Sequence, residues 1–329
     1  MVDLKNGFLA SSSRDNNIKI WDINNQNLSY TFDRSNGGHR GIVWDLALLK
    51  DAFLASCSSD GVIKIWDTIN KKLVHTFDQA HNDDIWHLAL LETGELASIS
   101  EDSTVKIWDI YEYKLKHTFN AGIGWQLALL DNGFLATDSS KDIKIWDIVN
   151  YKLKFTLSGH TNNILQLKSL DDGFLASSSW DGSIKIWDIT NGRLKYTFST
   201  GYRVRALAIL PFDFMASASD LDRTIKIWDT LSGKIIHNFD IPEKTVSLAT
   251  IDDIYLVAGS VMNSLYVFDI KNYKLVKKYE NSNGSHTGAI SILQNSIYPE
   301  FPLTLLENGY FATGSSDSAI KLWNTRTFK

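Results

Sequence analysis

One phrase, apolar-Lys-apolar-Trp-Asp, recurs along this chain and constrains its fold more than any other feature. It stands as Ile18-Lys19-Ile20-Trp21-Asp22, and the same pattern ends at Asp67, Asp109, Asp147, Asp188 and Asp229. It weakens to Leu265-Tyr266-Val267-Phe268-Asp269 and to Ile320-Lys321-Leu322-Trp323-Asn324. The aromatic positions of these eight copies lie 38 to 55 residues apart. A period of this length signals stacked supersecondary units, each unable to bury its apolar face alone. Every phrase follows a second one, such as Gly7-Phe8-Leu9-Ala10-Ser11, across a polar turn such as Arg14-Asp15-Asn16-Asn17. A third apolar segment comes after the Trp-Asp (residues 28–32, 73–77, 115–119, 153–157 and 194–198), and a fourth precedes the Gly-Phe-Leu (42–49, 85–91 and 164–170). Four short strands per period, separated by turn residues, predict a four-stranded antiparallel blade. No window shows helical spacing of comparable strength.

With these phrases in hand, the chain resembles the WD-repeat β-propeller family over nearly its whole length. The family's further mark is a Gly-His before the first strand. It is present as Gly38-His39 and Gly159-His160, with looser forms at Ala80-His81 and Ser285-His286. The resemblance implies a buried hydrogen-bonded set of that His, a strand Ser, the turn Asp and the Trp. The sets are His39, Ser56, Asp60 and Trp66; then His81, Ser98, Asp102 and Trp108; then His160, Ser177, Asp181 and Trp187. In the last repeat they are His286, Asp317 and Trp323. Such a set is a structural device, because each buried polar atom finds a partner in it. A Ser-His-Asp trio recurring in several blades is not a single active site. The fourth repeat has lost its His, the sixth has Gly201-Tyr202 near that position, and the seventh has Met262 for the turn Asp and Phe268 for Trp. These blades are expected to be softer.

The expected fold is all-β, a single propeller over residues 1–329 with repeats ending near Asp22, Asp67, Asp109, Asp147, Asp188, Asp229, Asp269 and Asn324. The first repeat is short of its first strand, and the last stops six residues after Trp323. Eight four-stranded blades with a thin seam are favoured over seven, in which residues 28–32 would complete the last blade. The seven-bladed solution strands the first hairpin and exposes Ile18, Ile20 and Trp21, at about 1.5–3 kcal/mol for each large side chain. The abrupt ends point to a segment of a longer protein or to an unusual closure.

A net charge of −5 argues against nucleic acid as the main partner. No stretch approaches the roughly 20 apolar residues of a membrane span, and the start does not read as a secretory signal. The single Cys57 fits a reducing compartment, cytoplasm or nucleus. The sequence has no phosphate loop, no Gly-x-Gly-x-x-Gly and no His/Cys cluster with metal spacing, so no enzyme, cofactor or metal is expected. His75, His117 and His237 fall at one place in the repeat and are expected on the rim.

Function must then be sought in a site grafted on the fold. Seven of the eleven Trp belong to the repeated phrase; the spare four are Trp44, Trp86, Trp125 and Trp180. Trp44 and Trp86 each stand five residues after a His, and Trp125 precedes an equivalent strand. The family resemblance implies that these positions, and Trp180 before its turn Asp, open onto one face, the top. Equivalent positions in other blades hold Leu165, Arg205, Val246 and Ser291, with Arg203 near Arg205, and Arg14 and Glu101 equivalent to Trp180. Trp and Arg are the residues most enriched in binding hot spots. The reading is a non-catalytic scaffold or adaptor that binds a protein or peptide with an acidic or aromatic anchor, an aromatic cage for a methylated amine being a narrower form. The alternative is that the spare Trp are wedges between blades, each burying about 150–250 Å². Exposure separates the two, since a binding Trp keeps ring area open. Two further readings stay open. The ending Trp323-Asn324-Thr325-Arg326 resembles the Trp-Asp-x-Arg box of substrate receptors of cullin-type ubiquitin ligases. Stacked indoles beside Asp84, Asn163 and Gln126 suit a glycan or small ligand.

Overall fold

The second and third strands of every repeat differ in what they can bury, and blade 2 shows why. Its strands are Val43–Leu48, Phe53–Ser58, Ile63–Asp67 and Lys72–Phe77, paired antiparallel in chain order. The second strand is buried from Leu54 to Ser58, which explains its small Ala, Ser and Cys residues: it is covered on both faces. The third alternates, with Ile63 and Ile65 buried and Lys64 half-buried. The fourth is the sheet edge and begins with Lys72, a residue that discourages pairing with another edge.

The computed structural model describes residues 1–329 except 6, 131–132, 220, 252, 281–303, 307–308, 316–318, 326 and 328–329. Blade 2 has counterparts over residues 2–32, 85–120, 127–157, 164–199, 204–240 and 245–279, numbered 1 and 3 to 7 in chain order. Among the described residues helical structure is confined to three short 3-10 turns.

Cores lie between successive blades rather than within them. Trp66 is fully buried 4.5 Å from Phe32 of blade 1, and Trp108 lies 4.9 Å from Phe77 of blade 2. Trp146 lies 4.5 Å from Phe119, Trp228 4.9 Å from Phe198, and Trp323 4.4 Å from Tyr279. The repeated Trp therefore packs on the last aromatic residue of the preceding blade, which is why both recur at fixed spacing. His75, His117 and His237 sit on fourth strands and stack on Tyr113, Tyr151 and Tyr273 of the following blade at 4.2, 4.6 and 4.6 Å.

Among the described residues, seven repeats form complete four-stranded blades, whereas the eighth forms a three-stranded sheet of Thr304–Leu306, Tyr310–Gly314 and Ile320–Asn324. The expectation of eight four-stranded blades is not borne out. After that third strand the Thr325 N–H is held by the Gly309 carbonyl at 2.9 Å. Nor are residues 28–32 lent elsewhere: Asn27–Phe32 pairs with Ile18–Asp22 in its own blade, with Ile18 opposite Phe32. The first strand of blade 1, Val2–Lys5, is present though short, and pairs Val2 with Ala10. By compactness the chain divides into two units, Met1–Leu129 with Gly133–Phe155, and essentially the chain from Thr156 onward. They are described separately below.

Candidate functional site

In three blades the His, Ser, Asp and Trp come together. In unit 1, His39 Nε2 lies 2.7 Å from Ser56 Oγ, His39 Nδ1 lies 3.2 Å from the Asp60 carboxylate, and Trp66 Nε1 donates to Ser56 Oγ at 2.8 Å. His81 lies 2.7 Å from Ser98 and 2.9 Å from Asp102, and Trp108 donates to Ser98 at 2.9 Å. In unit 2 the corresponding distances among His160, Ser177, Asp181 and Trp187 are 2.7, 2.8 and 2.8 Å. The chain of donors is complete if each His is neutral: indole N–H to Ser Oγ, Ser O–H to Nε2, and Nδ1–H to carboxylate. Burial lowers the pKa of all three His, and the Asp partners only partly oppose it. Burial alone would raise Asp60, but hydrogen bonds from His39 and the Arg40 N–H outweigh it and hold the carboxyl at about 2. Asp102 and Asp181 are held below the ordinary range in the same way. Ser56, Ser98 and Ser177 are fully buried, and each oxygen already accepts an indole proton. No substrate reaches such a hydroxyl. In the last repeat Trp323 donates to Thr313 at 2.8 Å, while His286 and Asp317 lie outside the described residues. Blade 7 substitutes Glu243, which accepts from Ser264 at 2.8 Å and from Ser260.

The spare Trp positions coincide with a backbone irregularity. Val43 pairs with Ser58 and Asp45 with Cys57, so Trp44 is one extra residue in the first strand of blade 2. Trp86 is the extra residue between Ile85 and His87, and Leu165, Arg205 and Val246 occupy the same bulge in blades 5 to 7. Bulges of this kind re-aim a side chain at the end of a strand. In unit 1 the Trp44 and Trp86 rings lie 4.7 Å apart, tilted by 43°. Trp44 is half-buried and its Nε1 donates to Asp84 Oδ2 at 3.2 Å; the exposed Arg14 holds its guanidinium 5.7 Å over the ring. Trp86 and Trp125 retain only 7% exposure each. Asp84 and Glu101 flank the pair, tied by a 3.0 Å bond from the Glu101 N–H to the Asp84 carbonyl. Burial raises both carboxyls, with Asp83 adding to each, while the Trp44 and Trp86 indoles pull the other way.

Blade 4 holds its Trp differently. Trp125 precedes a first strand of only three residues, Leu127–Leu129, and the Trp125 and Gln126 N–H groups both donate to Asp138 Oδ1 at 2.7 Å. Asp138 is buried, and burial pushes its carboxyl up to about 7. Its Oδ2 has no hydrogen-bond partner among the described residues. Gly124 is required there, since a Cβ would stand 2.1 Å from the Asp138 carbonyl oxygen.

In unit 2, Trp180 is half-buried and the exposed Arg203 lies 4.8 Å over its ring. Arg205 and Leu165 are half-buried at their bulges. Of the residues considered for a sugar, Asp84 is engaged with Trp44, Gln126 donates to the Trp125 carbonyl at 3.3 Å, and the Asn163 carbonyl accepts the Trp180 N–H at 2.9 Å.

Sequence reasoning missed the residue after each bulge. Asp45 Oδ2 accepts the Leu88 N–H at 2.9 Å, His87 Nδ1 accepts the Leu127 N–H at 3.1 Å, and Gln166 Oε1 accepts the Leu207 N–H at 2.7 Å. Each joins one blade's first strand to the next. A polar residue inside an otherwise apolar strand was the available signal.

Among the described residues no group of three or more His, Cys, Asp or Glu could hold a metal ion, and no helix is long and apolar enough to cross a membrane. Arg326 of the terminal box lies outside the described residues.

A sequence model described as WD domain, G-beta repeat, matches residues 3–22, 27–67, 71–109, 151–188 and 192–229, together more than half of the chain. The matched stretches leave out the fourth, seventh and eighth repeats. A comparison with curated proteins finds no match. Among solved structures, the chain is similar to the computationally designed Ika8 protein, at 24% identity and a TM-score of 0.79, over 97% of this chain and 94% of that one. At that identity the likeness speaks for the fold alone.

Proposed function

The chain belongs to the WD40 repeat family of β-propellers, and from that membership we propose that it is a non-catalytic scaffold or adaptor binding a protein partner at the blade ends that carry the bulged residues. The observation that carries this reading is the bulge itself. It sets Trp44 at the start of a strand in unit 1 as a half-buried extra residue, with the exposed Arg14 over its ring. In unit 2 Trp180 and Arg203 make the same kind of pair. Rigid aromatic rings and guanidinium groups on a fixed frame lose little entropy on contact, which is the chemistry of a protein-binding hot spot. Trp86 and Trp125 keep 7% exposure each, so Trp44 and Trp180 offer the larger ring area to a partner. The lone buried Cys57 is compatible with work in cytoplasm or nucleus.

The test is quantitative affinity capture from cell extract with the intact protein, Trp44→Ala, Trp180→Ala, and Ile69→Ala as a control at the opposite end of blade 2. A partner retained by the control and lost at least about tenfold from one Trp variant, both folded by circular dichroism, is the expected result. Equal recovery by every variant contradicts the reading and moves the search to the rim.

A further inference from the structure

We propose that the strand end of unit 1, where Trp44 and Trp86 meet Asp84 and Glu101, receives a cationic side chain, arginine or lysine, from a protein partner. The inference rests on the preceding reading of the Trp-bearing ends as binding surfaces and gives one of them a chemical class. It departs from the acidic anchor, one of the anchors the sequence allowed beside an aromatic one and, more narrowly, a methylated amine; Arg203 and Arg205, which favour an acid, belong to unit 2.

Three observations converge on unit 1. Two indoles lie 4.7 Å apart at one strand end, and a π-face attracts a cation held within about 6 Å of its centre. The chain's own Arg14 already holds its guanidinium 5.7 Å over Trp44, so that face receives this group in the folded protein. Lastly, the two carboxyl groups beside the rings face burial and mutual repulsion, together with Asp83. A neighbouring positive charge relieves both penalties at once. An acidic anchor would meet the opposite field, and like charges brought together cost binding. The indole N–H of Trp44 is engaged with Asp84, which fixes the ring edge and leaves the π-face as the contact. Neutralising the carboxyls while keeping the acceptors, as in Asp84→Asn and Glu101→Gln, therefore removes the attraction without removing the hydrogen bonds that hold the rings.

The experiment uses the full chain and two acetylated, amidated peptides, Gly-Ser-Arg-Ala-Lys-Ser-Gly and the same sequence with Glu at both charged positions. Binding is followed in low salt by the nitrogen-15 indole resonances, assigned by single Trp→Phe variants. The expected result is saturable binding of the basic peptide that moves the Trp44 and Trp86 signals and weakens about tenfold or more in the D84N/E101Q double variant. Preference for the Glu peptide, an unchanged affinity in the double variant, or no saturation up to about millimolar basic peptide overturns the proposal. If the basic peptide fails while captured partners still depend on Trp44, the surface stands and only its cationic class falls. If Trp44→Ala loses neither, the cationic proposal falls, and the broader reading stands only if Trp180→Ala loses the partner.

Discussion

Blades 3 and 4 follow one another in the chain, share the strand pattern, and solve the same buried-polar problem with opposite electrostatics. Blade 3 places a neutral His81 between Ser98 and an ionised Asp102, and closes the chain of donors with Trp108. Blade 4 has no such His. Thr137 takes the Trp146 N–H at 2.9 Å, and a buried Asp138 gathers the Trp125 and Gln126 N–H groups in place of a normal strand start. The difference teaches that the four-residue set is not what makes a blade. Strand alternation and the inter-blade Trp do that in both. The set decides how each blade answers to pH.

The largest expected effect comes from that contrast. Asp138 titrates near 7 in the fold and near 3.8 in the unfolded chain, because burial raises it. Its contribution is fully present below about 4 and is lost as pH rises through about 7, by at most about 4 kcal/mol. Blade 3 has the opposite sign. His81 and Asp102 are both lowered in the fold, so their contribution is present at neutral pH and lost on acidification, first below the ordinary His pKa of 6.5 and then through the carboxylate range. Urea midpoints at pH 5 and pH 8 for the parent and Asp138→Asn test this. The variant should gain stability at pH 8 and keep only the acid-labile arm; equal profiles would break the contrast. Next in size, Ser98→Ala strands both His81 Nε2 and Trp108 Nε1 and should cost about 2–4 kcal/mol, whereas Thr137→Val strands a single indole N–H and should cost about 1–2 kcal/mol. The same melts measure both, and equal losses would mean that the relay in blade 3 adds nothing beyond its indole bond.

Much of this was legible in the residues. The apolar-Lys-apolar-Trp-Asp phrase fixes its own strand, and the Trp and the aromatic residue before the next repeat recur because they pack on each other across blades. The His sets followed from the family resemblance, and side-chain hydrogen bonds bring His39, Ser56, Asp60 and Trp66 together. Three things were hidden. The bulge at Trp44 and Trp86 depends on how the second strand pairs, which periodicity does not encode. The burial of Trp86 and Trp125 depends on their surroundings in the fold, which a count of residues within one repeat cannot supply. The role of Asp138 was hidden because an Asp within a strand reads as polar and outward, whereas here it is buried, with Gly124 packed closely against its carbonyl.

The central claim is that the bulged strand ends, and not the opposite ends, meet the partner. Replacing Arg14 by a photo-crosslinking amino acid, and in a second protein replacing Ile69, which is 71% exposed at the opposite end of blade 2, tests it directly. A partner crosslinked from position 14 and not from position 69 is the predicted result; crosslinking from position 69 alone would contradict the account.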